Sequence, residues 1–590
     1  MNGLANDDVS PEAWIKATRS LVDGRGLSSI TLCDTAFGNG LRFLTLWEFW
    51  LRNCAPGAKL HVVAFASQWS WPGIKKERAR AVSSGLRALD AALESKWPDA
   101  TPGVHRLNFN DDAVTLTLIF RPLSVALRQT DAIVDVFWIP DTRAFFSEAC
   151  GVSPAGQLVR MANANAQVVS LAGLGKERLS QALQQSGFLV QRPGKESRGF
   201  VQARLRAGLC YTRRSCLAQA DVMVVGAGVA GAAIAWSLAQ RGHHVQVFDP
   251  MLRVSHAGVH DGHRAAALSP YLSKDDDFRA RLSRAGLARA WANWSGLEEG
   301  ARPVRCGTLG LPTEDRPVEL WQAMLDRLGL PDSWATWLAP SAASQKSNEA
   351  LEHGGCYFSS GMLIRPHRLV PALLSHHRIS MVSEAVAYVR KFDTGRVGLK
   401  TEGGSTHQAS IVVLANARHI GSLLCQLTKL SELPMIERMQ AVPGQVSYFD
   451  AASLSGGPTC ILDASAYWLP QVDGLLTAGG TYDLSQSIAH VSNRGHKDIA
   501  RKLSRFLPAR QPMLSRSNSA VGGWAGWRAV VAGRLPVMGP LPGQHQVWLA
   551  TAYGSRGLTW AALAADLIGA SLNNEPGIME RDLSAAVLPR

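Results

Sequence analysis

At 590 residues the chain is longer than one hydrophobic core supports, and 46% hydrophobic with 18% charged residues is the make-up of folded domains rather than of a disordered or fibrous chain. Lys and Arg outnumber Asp and Glu by 61 to 47, a formal net charge of +14 that suits a polyanionic partner such as nucleic acid and serves solubility equally well. The nine cysteines are scattered, with no C-x-x-C pair and no zinc-site spacing, which argues against a disulfide framework or a structural zinc and for reduced thiols in a cytoplasmic protein.

The first residues, Met1 to Asp8, are polar and acidic where a signal peptide is basic and then apolar. No stretch approaches the ~18 uncharged apolar residues of a membrane span, so none is expected. From Ile30 to about Val190, apolar runs alternate with helix-like segments in the manner of a doubly wound α/β sheet. Ser29 to Asp34 and Leu60 to Phe65 are predicted as the first two strands, with a helix over Leu41 to Leu51 between them. Ala132 to Ile139, almost continuously apolar and rich in β-branched residues, predicts a central buried strand, and Gln167 to Leu171 another. The stretch from Pro193 to Ala220 breaks this pattern with glycines and arginines and is predicted as the end of one domain and a linker, dividing the chain into 1–216 and 217–590. Basic residues gather there (Lys195, Arg198, Arg204, Arg206, Arg213) and at Lys75, Lys76, Arg78 and Arg80; each cluster is either a nucleic-acid contact or a solvated face.

A fresh strand, Asp221 to Val225, runs straight into Gly226-Ala227-Gly228-Val229-Ala230-Gly231 and a helix over Ala232 to Arg241. This is the dinucleotide fingerprint in its required context. Gly226 permits the tight turn, Gly228 lets the backbone approach a pyrophosphate, and Gly231 lets helix and strand pack closely, while the helix N-terminus offers free N–H groups to the anion. His244 to Asp249 is predicted as the second strand, ending in a carboxylate placed to accept hydrogen bonds from an adenosine ribose. Ile411 to Ala417 is an apolar strand ending in small residues, and Val547 to Leu558 gives a strand and a Gly-rich turn before a helix through Ala561 to Leu567. His256, His260 and His263 fall at spacings that suit one helix face, but Gly258 and Gly262 interrupt any helix there and no metal site is expected.

With the fingerprint, and in order behind it, Gly262-His263-Arg264, Leu268 to Lys274, Cys306-Gly307, Pro443 to Val446, Arg534 to Gly539 and Gly554-Ser555-Arg556-Gly557-Leu558 resemble the D-amino-acid-oxidase-like flavoproteins, in particular the oxidase half of the bifunctional MnmC tRNA-modifying enzymes. The resemblance implies an FAD-binding Rossmann domain with a β-rich substrate subdomain. FAD would be held through Gly226, Gly228, Gly231, Asp249, Gly262, Arg264, Gly554, Ser555, Arg556 and Gly557. Arg528, in Gly526-Trp527-Arg528, would anchor a substrate carboxylate, which calls for a bidentate guanidinium; Arg534 and Arg556 are lesser candidates.

Asp34 to Leu44, continuing through Thr45-Leu46-Trp47, resembles the Gly-rich loop and helix of the methyltransferase half. That resemblance implies a Rossmann-like domain binding S-adenosylmethionine at Asp34, Gly38 and Gly40. The chain departs from the pattern in three places. Ala36 stands where the family loop has glycine. Ser67 stands where an acidic residue meets the ribose hydroxyls, so donor affinity is expected to fall. Ile139-Pro140-Asp141-Thr142-Arg143 replaces the Asp-Gly-Phe-Ala-Pro segment that positions the amine, and Asp141 either serves with a one-residue shift or is a solvated loop aspartate.

The implied activity is a two-step modification of a wobble uridine in tRNA. Oxidation removes the carboxymethyl arm of 5-carboxymethylaminomethyl-2-thiouridine, and methylation then converts the exposed amine to the 5-methylaminomethyl form. Two alternatives stay open: an oxidase joined to a catalytically inactive tRNA-binding module, and an oxidase of free glycine-like amino acids. The sequence leaves the oligomeric state undefined.

Overall fold

The computed structural model describes residues 10–22, 29–66, 71–147, 153–171, 173, 175–191, 199–209, 220–392, 395–483, 488–516 and 519–590. The chain forms two compact units, one of Met1–Cys216 with Ala570–Asp582, the other of Leu217–Gly569 with Leu583–Arg590.

The first unit is built on strands β1 (Ser29–Asp34), β2 (Lys59–Phe65), β3 (Gly103–Phe109), β4 (Val114–Phe120), β5 (Val134–Ile139), β6 (Ala162–Leu171), β7 (Phe188–Gln191) and β8 (Phe200–Leu205), in the order β3-β4-β2-β1-β5-β6-β8-β7. β1 lies parallel to both β2 and β5, so the strand order reverses there. A crevice beyond the carboxyl ends of β1 and β5 is where an open α/β sheet takes its ligand. Asp135 interrupts the apolar β5 because its carboxylate accepts from Thr31 N (2.8 Å) and Asn163 Nδ2 (2.6 Å), tying three segments together.

Two elements differ from the sequence reading. β3 and β4 form an antiparallel hairpin turned by Asn110, Asp111 and Asp112, all at positive φ, a backbone region that Asn and Asp tolerate better than most residues. β8 lies inside the stretch read as linker. Its Val201, Ala203 and Leu205 are buried while Gln202 and Arg204 are half-exposed, the period of two that its arginines had masked. The basic cluster at Lys75–Arg80 also changes meaning. It lies in the helix Trp71–Ala81, where Arg78 is buried and paired with Asp90 and Lys75 pairs with Glu94, leaving Lys76 and Arg80 as its exposed cations. Lys195, Arg198 and Arg213 lie outside the described residues. The C-terminal segment completes this unit: buried Arg106 meets Glu575 (2.8 Å), Arg121 meets Glu580 (2.8 Å), and Gly577 N donates to Asp131 O (2.6 Å).

In the second unit, β9 (Asp221–Val225) and β10 (His244–Phe248) belong to a six-stranded sheet ordered Ile379–Val382, β10, β9, Ile411–Leu414, Gln544–Thr551, Val537–Leu541. All neighbours are parallel except the last pair. This is the dinucleotide-binding sheet. Beside it an eight-stranded sheet contains the two long antiparallel strands Gln440–Asp450 and Ala520–Val530, which carry the β-rich substrate subdomain. Among the described residues, no helix is long and apolar enough to cross a membrane.

Candidate active site

The fingerprint helix, Val229–Gln240, begins inside the glycine motif, three residues before the predicted Ala232. Two of the glycines are required by close approach. A Cβ on Gly226 (φ +107°) would lie 2.6 Å from Ala415 O, and one on Gly231 would lie 1.8 Å from Gly226 O. Asp249 ends β10, and its two carboxylate oxygens accept from Ala227 N and Met251 N at 2.8 Å each. The aspartate is thereby held against the turn with lone pairs left for a ribose. Among the described residues the buried Asn416 Oδ1 has no hydrogen-bond partner, and the Asn416 Cα lies 3.1 Å from where a Gly226 Cβ would be. A rigid Gly-rich turn, a helix N-terminus, a fixed carboxylate and an orphaned acceptor together fit the dinucleotide part of FAD.

His260 and His263 extend from this turn. Val229 N donates to His260 Nε2 (3.4 Å), and the His263 ring stacks on Trp524 at 3.9 Å and 7°. Burial pushes His260 down to about 4. His263 is held well below the ordinary histidine range by burial, then by His260 and His367, so both rings are neutral at pH 7. They pack as uncharged aromatics, and among the described residues no cluster of three or more His, Cys, Asp or Glu is placed to hold a metal ion. Gly262 and Arg264 are clamped through their backbones: Tyr448 OH donates to Gly262 O (2.7 Å) and accepts from Arg264 N (3.2 Å).

Arg528 projects from Ala520–Val530, whose partner strand places Val442 opposite it. Its Nη1 donates to Thr481 O (3.0 Å) and Pro443 O (3.3 Å), and its guanidinium lies 5.7 Å from the Tyr482 ring. Gly444 makes room for it, since a Cβ there would lie 1.9 Å from Nη1. Burial lowers the Arg528 pKa, with Tyr467 and Tyr482 acting to raise it. Among the described residues no carboxylate pairs with it, so a half-buried cation lacks its counter-ion. A cavity of about 200 Å³ opens nearby, lined by Tyr271, Tyr482, Tyr553 and the turn Gly554–Arg556. Gly554, Ser555 and Arg556 form a 3₁₀ turn, and Gly557 begins the long helix Gly557–Leu572, so the turn and a helix N-terminus lie together as predicted. The Tyr553 hydroxyl is buried without a partner among the described residues.

The lesser arginine candidates separate. Arg556 Nη1 donates to Ser269 O (3.0 Å), its guanidinium lies 5.1 Å from the Tyr271 ring, and its field reaches buried Asp463. Burial raises the Asp463 carboxyl pKa while Arg556 and then Arg316 pull it back. Arg534 stands exposed at the rim at φ +55°, 6.0 Å from Tyr482. Sequence reasoning had not singled out Tyr482 or Asp463, and it had named Tyr271 and Asn416 only as members of the stretches Leu268 to Lys274 and Ile411 to Ala417. Each becomes visible only when distant segments meet, although Gly479-Gly480 just before Tyr482 is a local mark of close packing.

In the first unit, Asp34 ends β1, and Gly38 (φ +60°) and Gly40 (φ +83°) shape the loop behind it. Arg42 occupies this loop. Its Nε lies 3.1 Å from Asp34 Oδ2, its Nη2 also bonds Ala36 O, and Nη2 would be 3.7 Å from a Cβ on Gly38. Burial raises the Asp34 pKa, opposed by Arg42 and by the Ala36 N–H. The strand order suits a donor, and the loop offers it a paired acid and base: S-adenosylmethionine carries a carboxylate beside its ammonium and sulfonium, and Arg42 already partly neutralises Asp34. Asp141 Oδ1 accepts from Arg143 N and Ala144 N (2.9 Å each), capping the helix Thr142–Ser147, so the solvated-loop reading is replaced by a helix cap. Ser67 lies outside the described residues.

The FAD dependent oxidoreductase (DAO) family model matches residues 221–571. Glycine oxidase from Geobacillus kaustophilus superposes with a TM-score of 0.51 at 22% identity, over 60% of this chain and 95% of its own. Iminodiacetate oxidase (IdaA) from Chelativorans sp. BNC1 gives 0.50 at 19%, over 60% and 96%. At such identities the likeness is one of fold. Sheet, fingerprint and family match define an FAD-dependent oxidoreductase. Proteins named tRNA 5-methylaminomethyl-2-thiouridine biosynthesis bifunctional protein MnmC, from Cupriavidus metallidurans and Burkholderia pseudomallei (strain 668), are 28% and 30% identical to this chain, aligning over 98% of it and over 89% and 93% of themselves. The chain belongs to the MnmC family.

Proposed function

We propose that the chain is a cytoplasmic tRNA-modifying enzyme that oxidatively removes the carboxymethyl arm of 5-carboxymethylaminomethyl-2-thiouridine and then methylates the exposed amine from S-adenosylmethionine to give the 5-methylaminomethyl form. The observation that carries the first step is Arg528, a half-buried guanidinium with no carboxylate partner among the described residues, beside an aromatic cavity; the relatives' names support tRNA as substrate. Bound FAD would supply the two-electron oxidant for the carbon between the amine and the carboxylate, after which water would release glyoxylate and leave a primary amine on the uridine arm. Arg528 grips the arm's carboxylate, Thr481 O and Pro443 O fix the angle of its guanidinium, and the Tyr482 ring walls one side. The fingerprint turn, Asp249 and Asn416 hold the dinucleotide. Holoenzyme incubated with tRNA carrying the carboxymethylaminomethyl nucleoside is expected to release glyoxylate and remove that nucleoside, as read by mass spectrometry; tRNA that remains unaltered refutes the proposal.

One observation favours a second reading of the first unit, in which it holds tRNA without transferring a methyl group. Arg42 fills the loop and partly neutralises Asp34. On that reading the full chain shows no saturable heat on titration with S-adenosylmethionine, only the aminomethyl nucleoside accumulates, and Arg42→Ala gains about tenfold or more in donor affinity by removing a cation–cation conflict. Saturable binding by the wild type, with the methylaminomethyl nucleoside formed, establishes the methyltransferase instead.

A further inference from the structure

The cavity lined by Tyr271 and Tyr482 adjoins a second one. Arg279 and Arg534 line the first and also line the second, a shallower groove of about 430 Å³ whose other walls include Phe278 and Leu535. The two arginines therefore stand where an inner chamber meets an outer one.

The composition of this passage is specific. Tyr271 gathers three guanidiniums near its ring, those of Arg279 (4.8 Å), Arg316 (4.9 Å) and Arg556 (5.1 Å), and its hydroxyl accepts from Arg279 Nη2 (2.9 Å). Its π-face and hydroxyl thus hold together cations that would otherwise repel one another. Two carboxylates face these three guanidiniums: Asp463 acts on Arg556 and Arg316, and Asp277 lies 3.4 Å from a partly exposed Arg279. Arg534 is exposed, sits in left-handed backbone, and makes no side-chain hydrogen bond or ion pair among the described residues. A non-glycine residue is held at such a φ only when its surroundings demand it, and such sites concentrate at ligand contacts. Two aromatic rings are open to solvent, Tyr482 at 44% in the inner chamber and Phe278 at 42% in the outer groove.

We propose that this passage binds single-stranded RNA one nucleotide at a time: the reacting base enters the inner chamber against Tyr482, its neighbour lies on Phe278, and Arg279 with Arg534 grips the phosphates between them. The inference rests on the tRNA reading above and adds where and how the RNA is held. A base that reacts must leave its stack, and aromatic platforms with a basic channel are how proteins hold unstacked strands without reading sequence. A free amino acid has no use for the outer groove or for cations beyond the one that takes its carboxylate.

The test uses holoenzyme with two substrates, an anticodon stem-loop RNA bearing the carboxymethylaminomethyl uridine and a small N-alkylglycine, both followed by glyoxylate release. Arg534→Ala, Arg279→Ala and Phe278→Ala are each expected to lower the ratio of RNA to small-substrate kcat/KM about tenfold, mainly through KM. Each arginine variant should also flatten the dependence of log KM on log salt by ~0.7, the share of one single-strand phosphate. Equal losses on both substrates, or an unchanged RNA KM and salt slope, overturn the inference while leaving the tRNA reading intact. A wild-type enzyme that oxidises the small amine but not the RNA overturns both.

Discussion

Replacing Arg528 by alanine lowers kcat/KM for the carboxylate-bearing amine by about 10²–10⁴, the loss of two charge-assisted hydrogen bonds worth ~1.5–3 kcal/mol each. The bound flavin keeps its absorbance, because Arg528 sits in the substrate sheet and not in the fingerprint turn. Lysine restores little, since an ammonium cannot reproduce the planar fork. Gly444→Ala offers an independent check. Its new Cβ would meet Arg528 Nη1 at 1.9 Å, but the clash is with the far end of a flexible side chain, so the guanidinium swings aside and the fold survives. The expected result is a smaller loss, concentrated in KM. Steady-state kinetics with glyoxylate detection read both, and an Arg528→Ala enzyme within threefold of wild type would sink the anchor assignment.

Gly231→Ala is expected to yield protein without flavin. The added carbon would lie 1.8 Å from Gly226 O, where backbone meets backbone and no side chain is available to give way. The turn must open, which removes the surface that faces the pyrophosphate. Gly228→Ala separates folding from binding. There the nearest atom is Val259 Cγ2 at 3.8 Å, an ordinary contact, so the chain folds with its usual far-UV circular dichroism while flavin affinity falls because the methyl group stands on the ligand side. The ratio of flavin to protein absorbance measures both variants, and a Gly231→Ala protein with stoichiometric flavin contradicts the account.

What could be read from the sequence was what local spacing encodes. β9, the glycine motif and Asp249 form one short stretch whose turn, helix and carboxylate have fixed separations; turn and carboxylate stand where their spacing put them, and the helix starts three residues early, at Val229. Arg528 was singled out on other grounds, the family resemblance of Gly526-Trp527-Arg528 and a carboxylate's need for a guanidinium, and it stands on the strand Ala520–Val530. The rest of the cavity was not. Tyr271, Asp463 and Tyr482 come from three separate segments of the second unit, and nothing in their neighbours announces that they converge. Charge misled where burial decided its meaning: Arg78 read as surface and is buried against Asp90, Arg204 read as linker and lies in β8, and Arg42, given no role, closes on Asp34. Asp141 was placed correctly after β5, but its Oδ1 is engaged in capping a helix, a role that requires knowing where Thr142–Ser147 begins.

The return of Ala570–Asp582 to the first unit bears on how the protein is made. Arg106 and Glu575 are 469 residues apart in the chain. At ~5–20 residues per second, a ribosome needs about 25–95 s to travel between them. Throughout that interval the first sheet stands complete except for its last strap, with Arg106 still facing water. The unit translated first is therefore closed by residues made hundreds of positions later. A stop codon a few dozen positions before the end would disable the half translated first, and a gene split at residue 216 would deliver that half without its strap.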